Sequence, residues 1–220
     1  MSPAPARTTD TAILAAACDL LEAGGPEAVT MRAVADRVGV RAPSLYKHVA
    51  GRAALLRAVS ESATLEIGLV LGDAARTGDP AADVRAMAVA FRAWARRAPN
   101  AYRYLFGPFA GADRPSADLA AMAVAPLLDA CARLVGPGRA LDAARLLTAY
   151  VHGFTSMELA GGFGLGGDVE RAFRYGIETL TGALAEPPGA LAEPPAAFAE
   201  PPAASGAAAE PGGGAGRGGT

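Results

Sequence analysis

TMRAVADRVGVRAPSLYKHVAGRAAL, residues 30–55, is the stretch that decides the fold. Thr30 is suited to cap a helix, because its hydroxyl oxygen accepts a backbone N–H that the first helical turn leaves without a partner. The helix it opens runs from Met31 to about Val38, with Val34 and Val38 on its apolar face and Ala35 beside them. Gly39 breaks that helix, and Val40 follows as a single apolar plug. A second short helix begins near Ala42-Pro43-Ser44, where proline is tolerated in the first turn. It carries Leu45, Tyr46, Lys47, His48 and Val49. The apolar residues of both helices can share one small core, which is the pattern of a helix-turn-helix. The outer face of the second helix then presents Arg41, Ser44, Lys47, His48 and the Tyr46 hydroxyl, groups suited to the phosphates and base edges of duplex DNA. Two of these admit a plainer reading: Tyr46 as an aromatic core residue, and His48 as a cap at the negative end of a helix.

Charge points the same way. Between Thr30 and Arg57, six cations (Arg32, Arg37, Arg41, Lys47, Arg52, Arg57) face one acid, Asp36. That segment carries +5 on a chain of 220 residues with net charge −2, so the remainder carries −7. A basic segment on an acidic body is the footprint of a localised phosphate contact, although charge runs are also ordinary solvated helix faces. The composition is 51% hydrophobic and rich in alanine, and strand formers are scattered, so an all-α fold is expected. Cys18 and Cys131 lie in apolar runs without metal-ligand spacing and read as buried free thiols of a reducing compartment. The N-terminus lacks the apolar core of a signal peptide, and no apolar run reaches the ~18 residues needed to span a bilayer. A cytoplasmic protein with no membrane partner is expected.

Outward from the motif, residues 1–8 read as a flexible arm. A first helix runs from Thr9 or Asp10 to about Glu22, with Ile13, Leu14, Ala17, Leu20 and Leu21 on one face, and Gly24-Gly25-Pro26 ends it. A fourth helix runs from Arg52 to about Leu71. Asp79-Pro80 opens a helix to Arg97, and Pro99 opens a short segment with Tyr102, Tyr104, Leu105 and Phe106. Further helices are expected from Ser116 or Asp118 to Val135, from Ala140 to Ala160, and from the Asp168 cap to about Ala183. From Leu184 the chain repeats LAEPPGA, LAEPPAA and FAEPPAA and ends in glycine, which predicts a disordered tail over 184–220. The expected organisation is therefore an arm (1–8), a DNA-binding domain (9–58), a second helical domain (59–183) and a tail (184–220).

Over residues 9–58 the chain resembles the tetracycline-repressor (TetR) family. The matching residues run in order from Ala15-Ala16, Leu20-Leu21 and Gly24-Gly25 through Thr30-Met31-Arg32, Ala35-Asp36 and Val38-Gly39-Val40 to Ser44-Leu45-Tyr46-Lys47-His48-Val49 and Leu55-Leu56. Two positions depart from the family pattern: Arg52, where a lysine is usual, and Val49, where phenylalanine is frequent. The resemblance implies that Thr30 and Arg32 contact phosphates and that Arg41 reads a base. It places Ala42, Pro43 and Ser44 at the front of the recognition helix, and makes Tyr46, Lys47, His48 and Arg52 clamps on the DNA backbone. Farther on, Ala149-Tyr150-Val151-His152-Gly153-Phe154, with Glu158-Leu159-Ala160-Gly161, resembles a subgroup of TetR C-terminal domains with a His-Gly signature.

The family implies a second copy of the chain, a palindromic operator on double-stranded DNA and a small-molecule effector not identifiable from sequence. The last two long helices would pair with their copies, with Leu146, Leu147, Val151, Phe154, Phe173, Ile177 and Leu180 marking apolar stripes. Gly153, costing ~1 kcal/mol against alanine in mid-helix, suggests close helix packing. Candidates for the ligand pocket are Phe91, Trp94, Tyr102, Tyr104, Phe106, Phe109, Met122, Tyr150, His152 and Met157, each of which also reads as plain core. His152 is either a polar anchor or a satisfied core histidine. No catalytic triad, paired-carboxylate motif, metal cluster or phosphate loop is visible, so neither an enzyme nor a cofactor is expected. The reading is a repressor released from its operator by a ligand. An activator, a global regulator or a helical protein-binding adaptor remains open.

Overall fold

The computed structural model describes residues 9–107 and 114–186. Among these there are α-helices, single 3₁₀ turns and connecting loops, and no strand. The helices are α1 (Asp10–Gly24), α2 (Met31–Val38), α3 (Ala42–Leu45), α4 (Arg52–Ala74), α5 (Pro80–Arg97), α6 (Pro99–Phe106), α7 (Ala117–Val135), α8 (Ala140–Leu159) and α9 (Val169–Ala185). The arm, the 108–113 segment with Phe109, and the tail from 187 lie outside the described residues. The expected tail start at Leu184 falls within α9, which reaches Ala185.

Most boundaries follow from capping. Thr9, Thr30, Asp79, Ser116 and Asp168 each stand just before a helix and accept a first-turn N–H with a side-chain oxygen. Pro80 and Pro99 occupy first positions, where no backbone donor is needed. The second helix of the motif is shorter than expected. After Leu45 the chain leaves the helix in a tight turn, with the N–H groups of His48 and Val49 both reaching the Leu45 carbonyl at 2.9 Å. Two 3₁₀ turns, Pro26–Ala28 and Pro137–Arg139, were not anticipated; each follows a Gly-Pro step.

Buried apolar side chains fall into two clusters. One holds Ile13, Ala17, Leu21, Val29, Val34, Leu45, Leu55 and Val59, and so unites α1, α2, α3 and the first turns of α4. The other is larger and runs from Ile67 to Ile177, with Trp94, Phe91, Cys131, Leu147 and Phe173 at its centre. Helix α4 contributes to both and is the continuous rod between them. Helix α6 is the second link. The Glu22 carboxylate at the end of α1 accepts the Asn100 and Ala101 N–H groups at 3.0 and 3.2 Å, and Asn100 Nδ2 donates to the Glu22 carbonyl.

Two features of the larger cluster were not read from the sequence. Arg92 of α5 is buried, with its guanidinium bidentate on Glu158 of α8 (2.7 Å from both Nε and Nη2) and a third bond of 2.5 Å to Glu170 of α9. It also lies over the rings of Phe173 and Phe154, at 4.7 and 5.6 Å. The cluster draws three helices together through one charge, and the carboxylates hold that guanidinium still more firmly in its charged form. The second feature is Gly68 of α4, where a Cβ would come within 3.1 Å of the Ala123 Cα, so α4 and α7 touch backbone to backbone.

The expected apolar stripes of α8 and α9 need correction. Leu147, Val151, Phe173 and Ile177 are buried within the chain, and Phe154 and Leu180 pack against that same core. Leu146 alone of the named stripe is substantially exposed. Gly153 is not packed against other described residues either, since none lies within 4 Å of where its Cβ would be. The outward faces of these helices carry other residues: Leu146, Ala149, Gly153 and Met157 on α8, and Ala172, Tyr175, Thr179 and Gly182 on α9.

Candidate nucleic-acid interface and effector cavity

The turn between α2 and α3 is set by backbone geometry. Gly39 has φ +76° and ψ +28°, a left-handed conformation that costs a residue with a Cβ about 1–2 kcal/mol. Its N–H reaches the Asp36 carbonyl, and the Val40 N–H reaches the Ala35 carbonyl at 3.0 Å. That pair of bonds is the Schellman arrangement, which satisfies the last carbonyls of α2 and turns Val40 inward. Val40 packs on the smaller core, and α3 leaves the turn at a fixed angle with Leu45 wholly buried beneath it.

The opposite side of this unit holds the residues singled out from the sequence. Thr30, Arg32, Arg41, Pro43, Ser44, Tyr46, Lys47, His48 and Arg52 are exposed, and Ala42 is half-buried against the core. Tyr46 is 59% exposed, which removes the core reading for it. Thr30 is committed to capping through its oxygen, 3.1 Å from the Ala33 nitrogen, and keeps its hydroxyl proton to donate.

The cations divide into two kinds. Arg37 is tied to Asp19 of α1 at 2.7 Å. Arg52, expected on a phosphate, donates from Nε to the Val29 carbonyl (2.9 Å) and from Nη2 to the Pro26 carbonyl (2.6 Å), while its side chain stays 42% exposed. The reason is geometric: the turn before α2 offers two carbonyls to one planar fork, a match that an ammonium could not reproduce. Arg52 thus braces α4 against the entry to α2. Arg41 and Lys47, by contrast, hold no ion pair or side-chain hydrogen bond among the described residues. His48 neither caps a helix nor stands free; its Nδ1 lies 2.7 Å from the Asp10 carboxylate at the start of α1.

In the larger cluster the helices leave an apolar cavity of about 170 Å³. Ile67 and Leu71 of α4, Met87 and Phe91 of α5, Phe106 of α6, Leu127 of α7, Val151 and His152 of α8 and Ile177 of α9 stand in its wall. Of the expected pocket residues, the structure brings Phe91, Phe106 and His152 to that wall, with Tyr102 directly behind. The His152 ring sits 4.4 Å from Phe106, 4.9 Å from Phe91 and 5.8 Å from Tyr102 between ring centres. Burial lowers its pKa from 6.5 to about 4, so the imidazole is neutral at physiological pH.

The other expected residues sit elsewhere. Trp94 is fully buried in the core beside Phe91, and Tyr104 packs on the smaller cluster. Tyr150 stacks on Phe173 and donates its hydroxyl to the Phe173 carbonyl, and Met122 and Met157 are exposed. The aliphatic wall was missed because aliphatic residues at helical spacing look the same whether they fill a core or surround a gap.

A basic, exposed helix-turn-helix on an α-helical body that holds an apolar cavity defines the class: a helix-turn-helix regulator. Comparison with known proteins agrees. Residues 13–59 match the family described as "Bacterial regulatory proteins, tetR family", and residues 84–180 match "Tetracyclin repressor-like, C-terminal domain". The chain is 31% identical over 161 residues to an uncharacterized HTH-type transcriptional regulator of Mycobacterium tuberculosis, Rv0681, an alignment covering 71% of this chain and 73% of that protein. Its fold is similar to that of the regulatory protein SCO4313 (TM-score 0.68, 29% identity, covering 79% of this chain and 95% of that one). It is also similar to a single-substitution variant of TetR from Acinetobacter baumannii AYE, solved in complex with minocycline (TM-score 0.59, 25% identity, covering 80% and 96%). The chain belongs to the tetR family of bacterial transcriptional regulators. The matching C-terminal family carries no His-Gly subgroup in its description. Among the described residues no helix is long and apolar enough to cross a membrane, and no cluster of His, Cys, Asp or Glu is arranged to hold a metal.

Proposed function

We propose that this chain is a homodimeric repressor that grips a two-fold operator through paired recognition segments and leaves it when a small molecule fills the cavity. The observation that carries this reading is the exposed edge of α3, where Arg41 and Lys47 have no side-chain partner among the described residues, beside the exposed Tyr46 ring. Cations with no internal partner are available to replace counterions at DNA phosphates, and Arg41 at the N-terminus of α3 suits a guanine edge. Residues 9–58 form the DNA-binding head and 59–183 the effector and dimerisation body.

One head contacts few bases, so a two-fold pair with half-sites about 34 Å apart is the natural reader. The outward faces of α8 and α9 support such pairing: Ala149, Gly153, Ala172 and Gly182 would let backbones approach, and Leu146, Met157 and Tyr175 would fill the seam. Release is a population shift. The effector binds more tightly to a body whose heads no longer match the half-site spacing, and without that difference in affinity nothing moves. Helix α4 links wall to head, because Ile67 and Leu71 line the cavity while Leu55 and Leu56 are head core.

The test is fluorescence-anisotropy binding of the full chain to the DNA upstream of its own gene, against a scrambled duplex at fixed salt. Tight upstream binding is expected. Arg41→Ala should weaken it by about 1–3 kcal/mol and relax preference at one base pair. Tyr46→Ala should also weaken it. Equal, weak binding to both duplexes, and to every member of a random DNA pool, would refute specific DNA recognition.

A further inference from the structure

We infer that the cavity takes a compact, uncharged aromatic molecule with a single hydrogen-bond donor, of the phenol class, seated against Phe91 and Phe106 with its donor on the His152 imidazole. This rests on reading the cavity as the effector site, and goes on to say what chemistry it accepts.

Size comes first. A dry, apolar protein cavity of about 150 Å³ accepts benzene. At about 170 Å³, this one has room for a single ring and a small substituent. Charge comes second. Among the described residues no Asp, Glu, Lys or Arg stands in the wall, and the Arg92 guanidinium is occupied by Glu158 and Glu170. A carboxylate or ammonium entering here would lose its hydration with nothing in return.

Shape comes third. Phe91 and Phe106 meet at 65° with centres 5.9 Å apart, and His152 lies edge-on to both. Such tilted walls accept another flat ring in the edge-to-face or offset packing that aromatic groups favour. Polarity comes last. Among the described residues the wall's side-chain polar groups are His152 and, from Thr148, one hydroxyl. The Tyr102 hydroxyl lies 3.2 Å from the His152 carbonyl, to which it donates, and 3.3 Å from Nδ1 of the same residue. A hydroxyl has one proton, so with that proton on the carbonyl, Nδ1–H donates back to the Tyr102 oxygen. The neutral ring is then protonated on Nδ1 and offers its Nε2 lone pair as an acceptor, which selects a ligand that donates.

The test titrates the full-length protein by calorimetry with phenol, anisole, toluene and benzoate at pH 7.5, and repeats phenol and toluene on His152→Leu. Phenol should bind one per chain and about tenfold more tightly than anisole, the size of one net hydrogen bond. Benzoate should not bind. His152→Leu should remove phenol's advantage and leave toluene unchanged within about twofold. The wild-type ligand series stands even if the variant fails to fold. Absence of phenol binding, benzoate binding as tightly as phenol, or anisole matching phenol would each overturn the inference. Operator release is read separately by anisotropy. Phenol-class binding without release would uphold the ligand chemistry and refute the release reading of the site.

Discussion

Acidifying the protein from pH 7 to pH 4 should cost the fold about 3 kcal/mol through His152 alone. The ring lies among Phe91, Tyr102 and Phe106, and among the described residues no charged side chain stands with it in the cavity wall to stabilise a protonated form. Burial lowers its pKa from 6.5 to about 4. In the unfolded chain the same histidine takes up its proton near pH 6.5. Between those values the unfolded state binds more protons than the folded one, so stability falls as pH falls. At roughly 1.4 kcal/mol per pH unit the loss reaches about 3 kcal/mol at pH 4 and flattens below it. Urea unfolding followed by the fluorescence of Trp94, the one tryptophan of the chain and fully buried, would measure it in wild type and His152→Gln. Carboxylates that titrate over the same range affect both proteins alike, so the difference isolates the histidine. The stability gap between the two should change by about 3 kcal/mol in the variant's favour between pH 7 and pH 4. Parallel curves would refute the account of a buried, neutral imidazole.

Other outcomes follow from the geometry. Arg92→Leu leaves Glu158 with only the more distant Arg96 and Glu170 with Arg174, and should destabilise by about 1–3 kcal/mol in the same urea assay; adding Glu158→Leu should recover part of that loss. Gly39→Ala forces a Cβ into a left-handed turn and should lower stability by about 1–2 kcal/mol, read by thermal melting. Gly153→Trp on the outward face of α8, where no other described residue packs within 4 Å of a Cβ, should leave helix content unchanged by circular dichroism and convert dimers to monomers in sedimentation. An unchanged dimer would place the seam elsewhere.

The sequence alone determined a good deal, for reasons that are local. Thr9, Thr30, Asp79, Ser116 and Asp168 announce helix starts through their own side chains, and each caps one. Gly39 announces the turn because few other residues tolerate its dihedrals, and that turn, with Val40 and Leu45, identifies the helix-turn-helix. What tertiary structure decided concerns partners distant in the chain. Arg52 and Lys47 are both cations of the basic segment, and only the carbonyls of Pro26 and Val29 make one a brace while the other stays unpaired. Arg92 lies four residues after Ala88 on the buried face of α5, a placement visible in the sequence, but its carboxylates come from residues 158 and 170. The stripes of α8 and α9 repeat at helical spacing whichever side they face, and the fold turned Leu147, Val151, Phe173 and Ile177 inward. A cavity is the extreme case. It is a volume that side chains from six helices fail to fill, and periodicity along one helix records which residues are apolar without recording what, if anything, lies against them.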